Sequence, residues 1–451
     1  MSSRMPNADR GALRRVLMLT PHFPPDTSAG THRVRLLAPH LAAHGWQPVV
    51  VTVDPARYEG RLDPGLLSLV PPSLRVVRSG AWSPGWTRRV GIGDLGLRAF
   101  TGLRRTSEEL LARERFDALF ITIYPTYPAL LGPVLKRRFN VPFVLDYQDP
   151  WVGAWGDTVG AGVNGQVDWK SRATRWLAGR LEPRAVAAAD ALTAVSEMTY
   201  ESVVARYPRT APAERAALPI GGEPADFDAL RSQPAANPFF DPHDGFCHIS
   251  YVGTLLPLGV DTMRAVLQAV ALLKTRQPGL YATLRLHYFG TSNQTAGDGV
   301  ERVTPIARSL DVADCVSEWP LRVPYLDALR IQLDSQALLL AGSSERHYTA
   351  SKIYPALLAK RPLLAVYHQA SSVVTALNRV GRAPTICLVT YDERGAAEAV
   401  ERVYSALVDL LSSPRYDAGA VDLDALHAYS AHAIAGRLAS LLDRVAGRAT
   451  R

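Results

Sequence analysis

The stretch RVLMLTPHFPPDTSAGTHRVRLLAPHLAAHG, residues 15–45, carries the pattern on which the fold prediction rests. Its first part, Arg15–Thr20, is apolar and strand-like, and apolar residues recur at helical spacing further on. The pattern predicts a strand, a loop over Pro21–His32 and a helix from about Thr31 to His44, with Gly45 at the position of a left-handed C-cap. A strand and helix in this order begin a βαβ unit, which is typical of a parallel sheet.

The same alternation of strands and helices continues along the chain and restarts once. Between the two runs, Arg231–Gly245 alternates prolines with Asn, Asp and Gly, which is typical of a linker. We therefore predict an α/β protein with two doubly wound, Rossmann-like domains whose parallel sheets face each other across a cleft. The predicted segments are a flexible N-terminus, an N-terminal Rossmann-like domain, a C-terminal Rossmann-like domain and a helix that packs back on the first domain: residues 1–14, 15–235, 236–422 and 423–451.

Composition narrows the class of protein. Residues 1–14 are polar and basic, and the next apolar run is far shorter than the roughly 20 residues of a membrane span, so we expect neither a secretion signal nor a spanning helix. Cys247, Cys315 and Cys387 are far apart and lie in or beside apolar runs, which favours buried thiols and a cytoplasmic location.

The net charge of +8 and the pI of about 9.4 predict an anionic partner, such as a nucleoside diphosphate, a phospholipid surface or a nucleic acid. Basic and aromatic residues are not interleaved on any single strand or helix, so we expect no nucleic acid.

Two loops of the first half follow predicted strands and carry candidate ligand-binding residues. The first loop delivers Gly30 and Thr31 to a helix start, where backbone amides favour an anion or sugar oxygens; the alternative is an ordinary βα loop capped by Ser28 or Thr31. The second places Asp149 and Trp151 after a strand, where Asp149 is placed to hydrogen-bond to a substrate hydroxyl or to take its proton. A turn-capping Asp before Pro150 is the alternative.

The second half carries the best candidate for an anion-binding site. Gly253 and Thr254 end one predicted strand, and Gly290 follows the next, so a phosphate can approach the backbone there; a tight turn without a ligand is the alternative. The loop Gly342–Ala350 leads into Ser351 and Lys352, so that amides, hydroxyls and a cation converge. A capping Ser with a solvated Lys is the alternative.

Two pattern matches do not predict sites. Gly91–Gly96 fits G-x-G-x-x-G but follows no strand, so it lacks the dinucleotide-binding context. Asp422 and Asp424 begin a helix, where acidic residues complement the dipole. We expect no metal and no cofactor, since His residues at metal-ligand spacing are absent.

The segment Pro71–Thr106 is basic and rich in tryptophan, glycine and arginine, and we predict an irregular surface excursion there. With Lys136, Arg137 and Arg138, its stretch Trp82–Arg105 suits an anionic membrane surface; a solvated loop is the alternative.

Taken together, these loops resemble the GT-B glycosyltransferases of retaining family 4, in particular the branch that builds bacterial surface polysaccharides. FPPDTSAG (Phe23–Gly30) resembles the first loop of that branch, and VLDYQDPW (Val144–Trp151) resembles its strand followed by D-x-R-D-x-W, with Gln148 in place of the Arg. ISYVGTL (Ile249–Leu255) and SKIYPALLAKRPLLAV (Ser351–Val366) resemble the donor-side strand and helix. The resemblance covers nearly the whole chain.

The resemblance implies metal-independent, retaining transfer of a hexose from a nucleotide sugar to a hydroxyl of a sugar, a lipid-linked glycan or a small molecule. The products would belong to polysaccharide, glycolipid or natural-product glycosylation. The candidate catalytic residues are then Asp149, Glu345 and His347. Donor-binding candidates are Gly253, Thr254, Gly290, Arg346, Ser351 and Lys352, and acceptor-side candidates are Gly30, Thr31 and Trp151.

The chain departs from the family pattern at the donor site. No cation follows the glycine turn, where Leu258 lies, and the two glutamates that members carry eight positions apart are replaced by His347 and Pro355. Two alternatives follow: a catalytically degenerate partner protein, and a nucleotide-sugar epimerase on the same scaffold.

Overall fold

The computed structural model describes residues 13–152, 169–232, 236–292, 294, 297, 299–343 and 352–449. They form two compact units. Unit 1 comprises the described parts of Met1–Leu62, Val70–Ile220 and Ile434–Arg451, and unit 2 comprises those of Asp63–Leu69 and Gly221–Ala433. The change of unit at Ile220 and Gly221 lies earlier in the chain than the Pro-rich segment Arg231–Gly245.

Unit 1 contains a parallel sheet of seven strands in the order β3-β2-β1-β4-β5-β6-β7. The strands are β1 Arg14–Leu19, β2 Trp46–Val53, β3 Arg75–Ser79, β4 Ala118–Ile123, β5 Phe143–Tyr147, β6 Ala191–Ala194 and β7 Glu214–Ala217.

The helices of the first part of the chain alternate with these strands. They are α1 Thr31–Leu37, α2 Gly65–Ser68, α3 Pro84–Thr87, α4 Leu95–Arg113, α5 Leu131–Phe139, α6 Trp169–Ala188 and α7 Glu197–Arg206, of which α2 belongs to unit 2. Short 3-10 helices cover Ala38–His44, Pro55–Arg57, Arg88–Val90 and Tyr127–Leu130.

Unit 2 contains a second parallel sheet, of six strands in the order β10-β9-β8-β11-β12-β13. The strands are β8 Cys247–Val252, β9 Leu284–Phe289, β10 Val316–Trp319, β11 Ala337–Ala341, β12 Leu363–His368 and β13 Ile386–Tyr391.

The helices of the later chain are α8 Pro224–Ser232, α9 Val260–Arg276, α10 Pro278–Thr283, α11 Thr304–Ser309, α12 Tyr325–Asp334, α13 Ile353–Leu358, α14 Ser372–Val380, α15 Val400–Ser412, α16 Leu423–His427 and α17 Ala431–Ala449. Short 3-10 helices cover Pro257–Gly259, Ala313–Cys315, Ala396–Ala399 and Ala418–Ala420. The two parallel sheets with alternating helices confirm the predicted two-domain α/β class.

Both sheets are covered on both faces, which explains why strands such as Ala118–Ile123 are apolar at nearly every position. One core of unit 1 joins Val16 and Leu41 to Ile434, Leu438 and Leu442 of α17, all fully or almost fully buried. The apolar face of the last helix is therefore part of the core of unit 1.

The segment Pro71–Thr106 is not irregular as predicted: it contains β3 and most of α4. Asp94 caps α4 by accepting a hydrogen bond from the Leu97 amide at 2.8 Å. Arg98 lies on the buried face with only 1% exposure, and its guanidinium donates to the carbonyls of Trp82 (2.9 Å) and Arg57 (3.2 Å). A buried arginine within the apolar stripe disguises the helical pattern in the sequence.

Two other helices differ from their predicted extents. The helix predicted over Thr31–His44 becomes a 3-10 helix at Ala38, next to Pro39, which has no amide hydrogen to donate. The final stretch is divided between α16 and α17, and Ser430 accepts a hydrogen bond from the Ala433 amide at the start of α17.

Candidate functional site

The carboxyl edge of the unit 2 sheet is formed by glycine turns at the ends of neighbouring strands. Gly253, with φ of +143°, donates its amide to the Phe289 carbonyl at 2.8 Å, and Gly290, with φ of +69°, donates to Trp319 at 2.8 Å. Both conformations favour glycine, so the predicted glycine positions lie where the backbone turns at the end of a strand.

Lys352 lies against the first of these turns. Its ammonium donates a hydrogen bond to the Thr254 carbonyl at 2.9 Å and lies 5.6 Å from the centre of the Tyr251 ring. A Cβ atom at Gly253 would come within 2.3 Å of both Cε and Nζ of Lys352. The ammonium can occupy this position only because residue 253 has no side chain.

The surroundings of Lys352 disfavour its charge. Burial lowers the pKa of the Lys352 ammonium to about 8, and the positive charge of Arg322 lowers it in the same direction. Among the residues that the structure describes, no carboxylate forms an ion pair with this ammonium. An anion placed here would supply the missing countercharge.

A cavity of about 170 Å³ adjoins Lys352 and is lined by Ser250, Val252, Tyr325, Gln332 and Pro355, among others. Ligand pockets usually have volumes of about 300–1,000 Å³. This cavity can therefore enclose only part of a ligand as large as a nucleotide sugar.

The carboxylate of Glu318 lies near the glycine turns but is fully engaged. It accepts hydrogen bonds from the amides of Arg302 (2.8 Å), Val303 (3.0 Å) and Thr304 (2.7 Å) and from the Thr291 hydroxyl. Glu318 thus accepts hydrogen bonds from the backbone amides at the amino end of α11, which have no partner within the helix. No spacing pattern in the sequence predicts this contact.

In unit 1, the structure assigns different roles to the two candidates of the first loop. A Cβ atom at Gly30 would lie 2.6 Å from Cδ1 of Tyr124, so this position requires glycine. Thr31 is fully buried and donates its hydroxyl to Asp26 at 3.0 Å, so it holds the loop and has no exposed side chain for an acceptor.

The first loop also contains a His–Asp pair that the sequence reasoning missed. Nδ1 of His22 lies 2.6 Å from Oδ2 of Asp26, at the carboxyl end of β1. The spacing of four residues within a proline-rich loop carries no periodic signal, so only the folded loop shows the contact.

A second missed interaction joins the first loop's helix to the strand before Asp149. Arg33 and Asp146 are almost completely buried and form an ion pair, with Nε of Arg33 at 2.8 Å from Oδ2. The Thr193 hydroxyl also donates to Asp146, at 2.6 Å. Asp146, the first acidic residue of the DYQD segment, is therefore structural.

Asp149 and Trp151 lie at the end of β5, as predicted. Asp149 is exposed, no described residue hydrogen-bonds to its carboxylate, and desolvation by the surrounding protein raises its pKa. The Trp151 ring packs edge-on against Tyr127, 6.1 Å between centroids. Four other candidates, Glu345, Arg346, His347 and Ser351, lie outside the described residues.

The two patterns that we set aside have structural roles at helix ends. Asp94, within Gly91–Gly96, caps α4, and Asp422 caps α16 through the Ala425 amide at 2.9 Å. Within the described part of the chain, no group of three His, Cys, Asp or Glu residues is arranged to hold a metal ion.

The predicted basic surface is only partly neutralised, because Glu59 and Glu108 each pair with two arginines. The described ion pairs join Arg88 and Arg98 to Glu59, Arg104 and Arg138 to Glu108, Arg105 to Glu109, and Lys136 to Asp190. Trp82 and Trp86 remain 48% and 59% exposed and pack edge-on, 6.1 Å apart. No described helix is long and apolar enough to cross a membrane.

Comparison with known proteins identifies the first half of the chain. Residues 28–221 match the model of the glycosyl transferase 4-like domain. None of the curated proteins matches the chain.

Solved structures share the fold over almost the whole chain. Anabaena HepE, solved in complex with UDP, is 12% identical with a TM-score of 0.54, covering 97% of this chain and 100% of HepE. The UDP-forming trehalose-phosphate synthase from Burkholderia vietnamiensis is 11% identical with a TM-score of 0.59, over 97% and 99% of the two chains.

A protein assigned as a UDP-N-acetylglucosamine 2-epimerase from Listeria monocytogenes is 11% identical with a TM-score of 0.50, over 96% of each chain. At these identities the structures show the fold alone. They confirm the predicted two-domain, Rossmann-like α/β fold, and the match over residues 28–221 supports the predicted family 4 resemblance for that part of the chain, whereas the surface-polysaccharide branch stays a prediction.

Proposed function

Because residues 28–221 match the model of the glycosyl transferase 4-like domain, we propose that the protein transfers a sugar from a nucleotide sugar to a hydroxyl group. Unit 2 binds the donor, with its diphosphate at the edge formed by Gly253, Thr254 and Gly290. The observation that carries this assignment is the Lys352 ammonium, which lies against a side-chain-free turn without a described carboxylate partner.

Lys352 replaces the cation that the family pattern places soon after the glycine turn. That position is occupied here by Leu258, yet Lys352 reaches the same turn from the start of α13. In the reaction, the bond between C1 of the sugar and the diphosphate breaks, and the electron pair leaves with the nucleotide. The ammonium stabilises the charge that develops there.

UDP is the nucleotide to test first, and a hexose the sugar. Anabaena HepE has been solved with UDP and with UDP-glucose, and the trehalose-phosphate synthase of similar fold is UDP-forming. We further propose that no metal is needed, because protein cations near the glycine turns, Lys352 and Arg322, supply positive charge.

The acceptor-side residues of unit 1 are Gly30, Asp149 and Trp151. Asp149 has the properties of a residue that binds a hydroxyl or takes its proton, since its carboxylate is exposed and has no described partner. The exposed Trp82–Trp86 pair favours an acceptor presented at a membrane surface over a freely diffusing one. The resemblance further implies retention of configuration at C1.

One observation favours a second candidate, a catalytically degenerate partner protein whose donor site is impaired. Pro355 lines the cavity beside Lys352 at the position where the family pattern has the ribose-binding carboxylate. A hydrocarbon ring cannot accept hydrogen bonds from a ribose, so the donor would be held more weakly than in a typical member.

Thermal-shift titrations with UDP, GDP, ADP and UDP-glucose test the donor site. We expect a uridine nucleotide to raise the melting temperature, and Lys352→Met to remove most of that rise. Lys360→Met, which removes an exposed ammonium in the same unit, is the matched control and should respond like the wild type.

Turnover is tested separately, by UDP release from UDP-glucose in the presence of sugar acceptors. Release that depends on the acceptor supports transfer. Binding without release supports the partner protein, and no shift with any nucleotide contradicts the donor site itself.

A further inference from the structure

The first loop of unit 1 holds His22 and Asp26 in one hydrogen-bonded cluster. Besides the 2.6 Å contact with Nδ1 of His22, Asp26 accepts hydrogen bonds from the hydroxyls of Thr31 (3.0 Å) and Ser28 and from the Ser28 amide (3.3 Å). The carboxylate is only 7% exposed, so its orientation is determined by these partners.

The cluster favours an ionised Asp26. Burial raises the pKa of its carboxyl, but the hydrogen bond and charge of His22 and the hydroxyls of Ser28 and Thr31 outweigh burial and leave the pKa below its usual value. An ionised carboxylate only accepts hydrogen bonds, so Nδ1 of His22 must be the donor. In the neutral ring, the lone pair then lies on Nε2.

The other ring nitrogen is available. No described residue hydrogen-bonds to Nε2 of His22, and the side chain is 15% exposed at the carboxyl edge of the sheet. The ring stacks on Tyr58 at 6.2 Å and lies 5.5 Å from Tyr124 at an angle of 42°.

The aromatic walls are themselves held in place. The Tyr58 hydroxyl donates to the Pro21 carbonyl at 2.9 Å and accepts from the Phe23 amide at 3.3 Å, while the missing side chain of Gly30 makes room for the Tyr124 ring. Nε2 of His22 is therefore a hydrogen-bond acceptor held in place between two tyrosine rings. Such a site suits a ligand that combines a hydroxyl group with an apolar ring face, because the ring face can pack on the tyrosines.

We propose that His22 binds a hydroxyl group of the acceptor by accepting its hydrogen bond at Nε2, with Asp26 as the residue that fixes the ring in the required tautomer. This inference rests on the proposed function, because it names the group that recognises the acceptor of that transfer. It adds a specificity-determining residue to unit 1 and assigns the acceptor as a polyol or sugar.

The tautomer is tested without any turnover. The protein is labelled with ¹⁵N-histidine, and the resonances of His22 are assigned by their loss in His22→Asn. At pH 8 we expect a protonated Nδ1 and an unprotonated Nε2, and loss of that preference in Asp26→Asn. A proton on Nε2 in the wild type would overturn the proposal.

Binding is tested on the same samples with UDP present, by adding methyl glycosides of glucose, mannose and galactose. We expect at least one sugar to move the Nε2 resonance of His22. A resonance that none of the sugars moves overturns the proposal. The thermal shift by UDP is recorded in parallel, so failure of the donor site is recognised independently.

Kinetics then separate recognition from a structural role. With the sugar that moves the resonance as acceptor, we expect His22→Asn to raise KM for that sugar about tenfold, the effect of one lost hydrogen bond, with kcat and the UDP shift nearly unchanged. His40→Asn, a partly exposed histidine of the same unit, is the matched control. An unchanged KM, or a fall in kcat alone, overturns a binding role for His22.

Discussion

At the scale of single residues, the proposed diphosphate site depends on the Lys352 ammonium and on the absence of a side chain at Gly253. Lys352 approaches the Thr254 carbonyl through space that a Cβ at Gly253 would occupy. The glycine therefore has two functions: it adopts a φ of +143° and it admits the ammonium.

Gly253→Ala should destabilise the protein by about 1–3 kcal/mol, since alanine is strained at this φ, and should abolish most of the UDP-dependent thermal shift. Urea denaturation and the thermal-shift titration measure the two effects. Gly279→Ala, where a Cβ meets no atom within 4 Å, is the control and should be neutral or slightly stabilising. Equal behaviour of the two variants would contradict the role of Gly253.

The charge of Lys352 makes nucleotide affinity depend on pH. Its pKa is lowered to about 8, so the anion-binding form is lost as the pH rises through 8, and UDP affinity should fall between pH 7 and 9.5. Isothermal titration calorimetry at several pH values measures this fall, which should be absent in Lys352→Met. A parallel pH dependence in both proteins would show that another group is responsible.

Without ligand, the same group has the opposite effect on stability. Between pH 8 and the ordinary pKa of 10.5, the unfolded chain binds more protons at this lysine than the folded chain does. Stability from this group therefore increases with pH across that window. The difference in free energy of unfolding between wild type and Lys352→Met, measured across this pH range, separates the contribution of Lys352 from those of other titrating groups.

At the scale of secondary-structure elements, buried polar contacts join helices to strands in unit 1. Arg33 of α1 pairs with Asp146 of β5, which also accepts from Thr193 of β6. The guanidinium further donates to the Leu218 carbonyl, after β7. The Arg33–Asp146 pair thus connects α1 to β5, to β6 and to the residue that follows β7.

Asp146→Asn should cost about 3–5 kcal/mol, because it leaves the Arg33 charge buried without its counterion. Glu109→Gln at the exposed pair with Arg105 is the control, and should cost no more than about 1 kcal/mol for the lost ion pair. Urea denaturation of both variants measures the difference. Similar losses would mean that the buried pair contributes no more than a surface pair.

At the scale of the whole molecule, the net charge of +8 is accompanied by ion pairs that offset part of the positive charge of the predicted membrane surface. Most of its described arginines are paired with glutamates. The exposed tryptophans add a second means of binding a lipid surface, since indole rings favour the interface between water and hydrocarbon.

If unit 1 binds membranes as proposed, Trp82→Ser with Trp86→Ser should lower co-sedimentation with phosphatidylglycerol vesicles by at least about tenfold, the loss of roughly 1.4 kcal/mol of burial. Arg104→Gln with Arg105→Gln is the control and should lower it much less, because both charges are already paired. A larger effect of the arginines would favour an electrostatic mode of binding.

What the sequence by itself determined is what depends on local pattern: the two α/β sheets, the strand ends at Gly253, Gly290 and Asp149, and the resemblance of residues 28–221 to the glycosyl transferase 4-like domain. Apolar periodicity and turn residues act over a few positions, so they can be recognised without a structure. Tertiary structure alone decided that Lys352 meets Thr254, that Arg33 and Asp146 form a buried pair, and that Pro71–Thr106 folds into a strand and a helix. These features depend on contacts between distant segments and on burial of charged side chains, and neither leaves a periodic trace in the sequence.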